Sequence, residues 1–358
     1  MRRGLMAWDA DEIPIPVLRE RIARLQAAMA VAGQDALIVY TNFVRSAAVS
    51  YLTAFSPYWA DGILLVPREG EPIFATTLSK RVGSWIQSVK PVGDLINSPS
   101  PGTVLGQRLA VNGGIQCLAI LELDAFPAGL YSELTTALPG VEIVDGSDTF
   151  ASARGAFDNV ERMLLEIADA IAQAALGHLR IDTVTDVGKA VGTVEEYARL
   201  QGAEEIYTAI APDLDSDRRF LRLSGNRPLG RRFAVRATVA YKGTWVRRTK
   251  TWSQDDADRR SLERADIWFD GLLAGIGLDR SLQDQLTIAT GNLGGAHLAD
   301  WMAETSVGTR PLTVIASPAE AEEFSRRVPA LVLTLGLHID GVPWCGAGLA
   351  IMHRKVAA

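Results

Sequence analysis

Eleven lysines and arginines crowd between Arg218 and Lys250, in a chain of 358 residues whose formal net charge is −6. A guanidinium carries five N–H donors in a planar fork, accepts no hydrogen bond and stays protonated, so it grips carboxylate or phosphate and repels a metal cation. The region is therefore either a solvated basic face or a place where an anion binds. Five of these residues share a defined setting, a run that ends in Lys250-Thr251. Arg236, Arg247 and Arg248 lie on the two arms of the run Ala234-Val-Arg-Ala-Thr-Val-Ala-Tyr-Lys-Gly-Thr-Trp-Val-Arg-Arg-Thr-Lys-Thr251, with Lys242-Gly243 between them. β-Branched and aromatic residues on both sides of a Lys-Gly pair predict a β-hairpin. Strand alternation then turns some of these cations inward. Groups able to move a proton near neutral pH are few: the chain has four histidines, His297 and His338 among those downstream, and Tyr241 closes the first arm.

The elements that must hold these residues are legible from periodicity. Residues 16–32 repeat apolar side chains at helical spacing and stop at Gly33. Strands are expected at 35–40, 62–67, 73–76, 118–121 and 141–144, with a short helix over 42–50 and Tyr51-Leu-Thr-Ala-Phe55 after it. A linker is expected over 146–155. Then come amphipathic helices over 159–179 and 183–200, helices over 255–276 and 292–303, and closing strands over 330–335 and 348–352. This is an α/β chain of two domains, 1–150 and 151–358.

Bulk properties exclude several classes. The negative net charge argues against non-specific binding of nucleic acid. Cys117 and Cys345 have no metal-ligand or disulfide-framework spacing and read as reduced thiols. The first residues hold no apolar stretch of signal-peptide length, and no run approaches the roughly 20 apolar residues needed to span a bilayer. The expectation is a cytoplasmic protein with no membrane partner.

The order of motifs resembles the creatinase, prolidase and aminopeptidase family. Arg21 to Leu25, Gly33-Gln-Asp-Ala-Leu37 and Tyr51-Leu-Thr-Ala-Phe55 follow one another as in the N-terminal domain of that family, and Gly202-Ala-Glu204 stands where its catalytic domain begins. The hairpin resembles the strands that carry the family's first two metal ligands, in a pattern near Val-Asp-x-Gly-x-x-Tyr-x-Gly-Tyr-x-x-Asp-x-Thr-Arg-Thr. Val235, Tyr241, Gly243, Thr249 and Thr251 fall into register with it. The resemblance implies a creatinase-like α/β N-terminal domain followed by an α+β pita-bread domain, covering about residues 16–352. It also implies a homodimer in which the loop Ser56 to Asp61, with Tyr58 and Trp59, near Asn42 and Arg45, meets the other subunit.

The family holds two divalent ions with two Asp, one His and two Glu, and a bridging hydroxide attacks the substrate. In this chain Arg236 and Arg247 stand at the two Asp positions. Gly308-Thr-Arg-Pro-Leu312 is the counterpart of the loop carrying the ligand His, which places Thr309 there and Arg310 beside it. Ala316 stands at a second, catalytic His, Gly336 at the first Glu, and the last Glu falls near Ala347. The nearby candidates Asp340, His338, Glu304 and His297 do not restore a ligand set. The expectation is a site with no metal and no cofactor.

Arginines turned inward must meet acceptors, because burying an unpaired guanidinium costs several kcal/mol. One solution is internal carboxylates, with Glu204, Glu205, Asp213, Asp215 and Asp217 as candidates, which makes the site an inert plug. The other is a small anionic substrate bound by Arg236, Arg247, Arg248 and Arg310, with His297, His338 or Tyr241 as acid and base. Creatinase itself works without metal on a small amidino acid, but its proton-shuttling His is missing from the matching loop at Phe220, Leu221 and Arg222. Three readings stay open: a metal-independent hydrolase or lyase, an inactive relative that binds a partner, and a metallopeptidase whose ligands lie elsewhere.

Overall fold

The computed structural model describes residues 8–42, 44–55, 60–89, 92–113, 115–155, 158–277, 280–305, 312–318 and 330–352. The chain divides into two compact units between Val160 and Glu161.

The first unit opens with helix α1 (Ile15–Val31), which buries Leu18, Ile22, Leu25 and Met29 at three- and four-residue spacing. Gly33, at φ +69°, lets the chain turn into strand β1 (Ala36–Thr41). Helix α2 (Ala47–Thr53) and strands β2 (Gly62–Pro67) and β3 (Ile73–Thr76) follow, then α3 (Gly83–Val89), β4 (Asp94–Asn97), α4 (Pro101–Asn112), β5 (Cys117–Ile120), α5 (Ala128–Ala137) and β6 (Glu142–Asp145). The six strands form one sheet in the order β4-β3-β2-β1-β5-β6, with β1–β5, β5–β6 and β3–β4 parallel. The expected linker over 146–155 is instead helix α6 (Ser147–Arg154), which buries Thr149, Phe150 and Arg154. Its flanking glycines read as a break, but the apolar Phe150 finds an edge-on partner in Tyr51. Arg21 ties the unit together through a two-pronged pair with Asp158 at 2.7 and 2.9 Å and a hydrogen bond to the Tyr51 carbonyl.

The second unit carries helices α7 (Asn159–His178) and α8 (Val187–Leu200), strands β7 (Glu205–Ala211), β8 (Arg232–Tyr241) and β9 (Thr244–Ser253), helices α9 (Asp256–Gly275) and α10 (Leu282–Gly291), and strands β10 (Ala296–Thr305), β11 (Thr313–Ala316), β12 (Ala330–Ile339) and β13 (Val342–Ile351). These strands build a seven-stranded sheet in the order β11-β10-β12-β13-β9-β8-β7, antiparallel at every junction. The β8–β9 hairpin has the expected register, and its Lys242-Gly243 turn takes positive φ at both residues, +47° and +75°. That turn matches the twist of the paired strands.

One face of this sheet is packed by helices. Phe233, Val235, Ala237 and Val239 meet α7 and α8, while Leu333, Leu335, Leu337 and Trp344 meet α9 and α10. Residues 292–303 are not a helix. Trp301 and Ala303 are buried from β10 into the same core, and a bulge between Leu298 and Asp300 breaks the two-residue period along the strand. That break gives the stretch a spacing that mimics a helical stripe.

Candidate functional site

The other face of the seven-stranded sheet carries the chemistry. Residues directly opposite one another on neighbouring strands share a face. Arg236 lies opposite Thr249, Thr249 opposite Ala347, Ala347 opposite Thr334, and Thr334 opposite Met302, so one row crosses five strands. A flanking row holds Cys345, Gly336 and Asp300. On the other flank Thr238 lies opposite Arg247, and Glu304 opposite Val332. Arg236, Arg247, Gly336 and Ala347, read from the sequence as the positions of four family ligands, thus lie on one face of one sheet. The β12 residue in the row of Arg236 is Thr334, two positions before Gly336.

Arg247 is neutralised within the fold. It is ion-paired through Nη1 with Glu304, which is 5% exposed, and its Nε donates to Thr238 Oγ1 at 3.2 Å. The acidic residues expected to do this are used elsewhere. Glu204 accepts from the Gly243 amide, Glu205 from the Tyr207 hydroxyl, Asp213 from its own loop, Asp215 from Arg232 and Asp217 from Arg219. Glu304 carried no local signal, because its pairing depends on two strands far apart in sequence.

Arg236 is different. Its guanidinium carbon stacks 4.0 Å above the centre of the Phe220 ring, and Phe220 packs in a small apolar cluster with Ala234 and Cys345. Among the described residues its Nε is a buried donor without a hydrogen-bond partner. Burial, and then the charge of Arg247, pull its pKa down to about 10; it is still a cation at neutral pH. Thr249 Oγ1 and Thr334 Oγ1, in the same row, are also buried and without partners. By contrast Thr251, two residues along on the same face, donates to the Cys345 carbonyl at 3.0 Å and accepts from the Cys345 amide at 2.9 Å.

The remaining groups on this face are a thiol, a carboxylate and an imidazole. Burial, with a contribution from Asp300, pushes the Cys345 thiol up to about 11, so it rests protonated. Asp300 is exposed and leans over Gly336, taking the space that a side chain there would use. His338 receives an N–H from Arg218 at Nε2 and lies opposite His297, which is exposed. Burial, then the charges of Arg218 and His297, hold His338 below the ordinary histidine range, so it is neutral at pH 7.

Two of the sequence-predicted site residues are not brought to this face. Arg248 follows Arg247 on β9 and must turn to the opposite side. There Asp169 holds it with two bonds of 2.7 and 2.6 Å, and Asp270 lies at 3.4 Å. Tyr241 has the opposite parity to Arg236 on β8 and packs against the α7–α8 core. Arg310 and Thr309, with Tyr58 and Trp59, lie outside the described residues. Ala316 is buried on β11 opposite Ala303.

The donor set does not fit a pair of divalent ions. Two guanidiniums occupy the Asp positions, the buried carboxylate of Glu304 is engaged by Arg247, and the Arg236 Nε left without a partner is an N–H donor. Among the described residues, no group of three or more His, Cys, Asp or Glu side chains could hold a metal ion.

Residues 21–155 match the family model described as Creatinase/Prolidase N-terminal domain. The chain carries a creatinase/prolidase N-terminal domain. Solved structures extend the likeness to the whole fold. The prolidase from Pyrococcus horikoshii OT3 superposes with a TM-score of 0.66 at 14% identity, covering 94% of this chain and all of that one. The Xaa-Pro dipeptidase from Bacillus anthracis gives 0.63 at 18%, covering 93% of each chain. The N-terminal domain of the FACT complex subunit SPT16 from chickpea gives 0.60 at 10%, covering 94% of each. At such identities the likeness establishes fold alone: a creatinase-type α/β domain followed by a pita-bread domain. None of the curated proteins matches the chain, and no described helix is long and apolar enough to cross a membrane.

Proposed function

We propose that this chain is a metal-independent enzyme of creatinase type that acts on a small anionic substrate held at Arg236, by C–N hydrolysis or elimination. The observation that carries the reading is the half-buried guanidinium of Arg236, whose Nε has no hydrogen-bond partner among the described residues, in the row where the creatinase/prolidase pattern places metal ligands. A buried charge left without a partner is costly, and a substrate oxyanion would remove that cost with charge-assisted hydrogen bonds. Arg247, fixed to Glu304, orients and supports the site without adding free charge. His338 and His297 are the candidate proton carriers. They face each other across β10 and β12 beside Gly336, and neutral His338, whose Nε2 accepts from Arg218, carries its proton on Nδ1.

Two measurements test this reading. Elemental analysis of the purified protein is expected to show no stoichiometric manganese, cobalt, zinc or iron; one equivalent of any of them would overturn the metal-independent assignment. A melting-temperature screen against small anions is expected to find stabilising ligands, since anything that binds only the folded state raises its stability, and Arg236→Met is expected to erase the effect.

A second reading has one observation in its favour. The chickpea structure is named as part of a complex subunit rather than as a peptidase, so this fold is not confined to proteins named as peptidases. An inactive binding protein would bind ligands in the screen without converting them. We place the protein in the cytoplasm as a homodimer, for which light scattering should give twice the chain mass of 38.6 kDa.

A further inference from the structure

We infer that Arg218 is the positioning residue of the histidine pair: it locks His338 in the neutral form with its proton on Nδ1, and so leaves His297 as the imidazole that takes up a proton. The role of the pair rests on the enzyme reading above; the locking itself stands on geometry.

The segment between β7 and β8 holds Arg218 between two backbone bridges. Asp213 and Asp217 pair on one side of it, the Asp217 amide donating to the Asp213 carbonyl at 2.9 Å. On the other side Ile210 and Leu221 exchange two hydrogen bonds of 2.9 Å each. The next residue, Arg219, is turned to solvent, where the Asp217 carboxylate accepts from its amide at 2.9 Å and from its Nη2 at 2.8 Å. Arg218 is half-buried and donates through Nη2 to His338 Nε2 on β12. One loop therefore aims one arginine at water and its neighbour at an imidazole.

A guanidinium only donates, so the atom it meets must offer a lone pair. A neutral imidazole has one such nitrogen and one N–H. With Nε2 taken by Arg218, the proton of His338 sits on Nδ1. A second proton at Nε2 would set two donors and two positive charges against each other, so Arg218 would first have to leave. His338 is thus a fixed hydrogen-bond donor. His297 lies opposite it on β10, is exposed, and makes no hydrogen bond or ion pair among the described residues, so its ring is open. In a C–N hydrolysis His297 takes the proton that water loses as the C–O bond forms, and passes it to the nitrogen that departs as the C–N bond breaks. In an elimination the proton comes instead from the neighbouring carbon, whose electron pair becomes the double bond as the C–N bond breaks. His338 keeps its own proton throughout and donates a hydrogen bond to charge developing on the substrate.

The test reads tautomer and reactivity at pH 7 in the full-length protein. Long-range proton–nitrogen NMR spectra of the histidine rings, assigned with His297→Gln and His338→Gln, are expected to show His338 protonated at Nδ1 alone. Arg218→Met should lose that signature and give a mixture of tautomers, whereas Arg218→Lys keeps a charged donor and should retain it. Diethyl pyrocarbonate, with its sites mapped by mass spectrometry, is expected to modify His297 about tenfold faster than His338 in the wild type, the factor that one charged hydrogen bond protects, and Arg218→Met should bring the two rates together. An Arg218 that serves packing alone would lower the melting temperature and leave the tautomer unchanged. A His338 proton on Nε2 in the wild type, an unchanged tautomer in Arg218→Met, or equal modification of the two wild-type histidines overturns the inference. Should Arg218→Met fail to melt cooperatively, the wild-type tautomer and the wild-type ratio of rates still decide. The two readings fail separately. An anion that stabilises the protein while His338 holds its proton on Nε2 overturns this assignment and leaves the anion site standing. The expected tautomer, lost in Arg218→Met, in a protein that no anion stabilises upholds the locking by Arg218 and overturns the enzyme reading.

Discussion

Two arginines of one sheet, Arg248 on its helix-packed face and Arg236 on the other, live under opposite rules. On the helix-packed side Arg248 is clasped by Asp169 and approached by Asp270. At the sheet's end Arg232 makes two bonds of 2.5 and 2.7 Å to Asp258 and one of 2.8 Å to Asp215. On the other side, among the described residues, Arg236 has an aromatic ring and no ion-paired carboxylate, only the more distant charges of Glu304 and Asp300. Arg248 and Arg232 each meet an acid, and Arg236 is the exception on which the anion-site reading rests. Function and stability pull against each other at that one residue.

The sharpest way to break the contrast is to strip a packing arginine of its acid. Asp258 is 4% exposed, accepts from Ser253 as well as Arg232, and is held below the ordinary carboxylate range chiefly by the Arg232 hydrogen bonds. Asp258→Ala is expected to cost about 3–5 kcal/mol, as for other buried pairs broken on one side. Urea denaturation measures it, and a loss below about 1 kcal/mol would mean that this pair is ornamental. Glu304→Gln should cost about 2–3 kcal/mol by leaving Arg247 beside Arg236 with no counter-charge. A double replacement, Arg247→Met with Glu304→Met, should recover most of that. A double variant weaker than the single would show that the pair is worth more than its desolvation.

Arg236→Met is expected to move stability the other way. Removing a buried charge without a partner should gain about 2–3 kcal/mol, and losing the ring contact with Phe220 returns about 1. The net is a gain of about 1–2 kcal/mol in urea without ligand. A loss instead would place Arg236 among the packing arginines and dissolve the contrast.

How much of this was legible beforehand depends on the distance over which each feature is encoded. The hairpin and the facing of Arg236 and Arg247 follow from the Lys242-Gly243 turn and two-residue alternation, both local. Alternation also implied that Arg247 and Arg248 part company. It did not say which would meet carboxylates, since Asp169 and Glu304 lie 79 and 57 residues away. The strand over Ala296–Thr305 was read as a helix because its bulge offsets the buried side chains. Helix α10 went unread, its stripe being short and interrupted by polar residues that cap and bond locally. The orphaned hydroxyls of Thr249 and Thr334 are invisible without the register, because what they lack is a neighbour.

The hairpin turn holds the mirror image of Arg236, an acid short of cationic support. Glu204 accepts the Gly243 amide at 3.2 Å, and burial lifts its pKa from 4.5 to about 7, with Lys242 and Glu205 pulling in opposite directions. The folded state therefore holds a proton that the unfolded chain has released between these two values. Stability linked to Glu204 is fully present below about pH 4.5 and drains away as pH rises through 7. A shift of this size corresponds to about 2 kcal/mol once residual solvent contact is allowed for. Glu204→Gln keeps a neutral side chain at every pH, so it should match the wild type near pH 4.5 and exceed it by about 1–2 kcal/mol at pH 8. Parallel urea titrations across that range would decide the matter. Identical pH slopes in the two proteins would mean that the turn tolerates a charged Glu204, and that unpaired charge in this unit is no guide to where a ligand belongs.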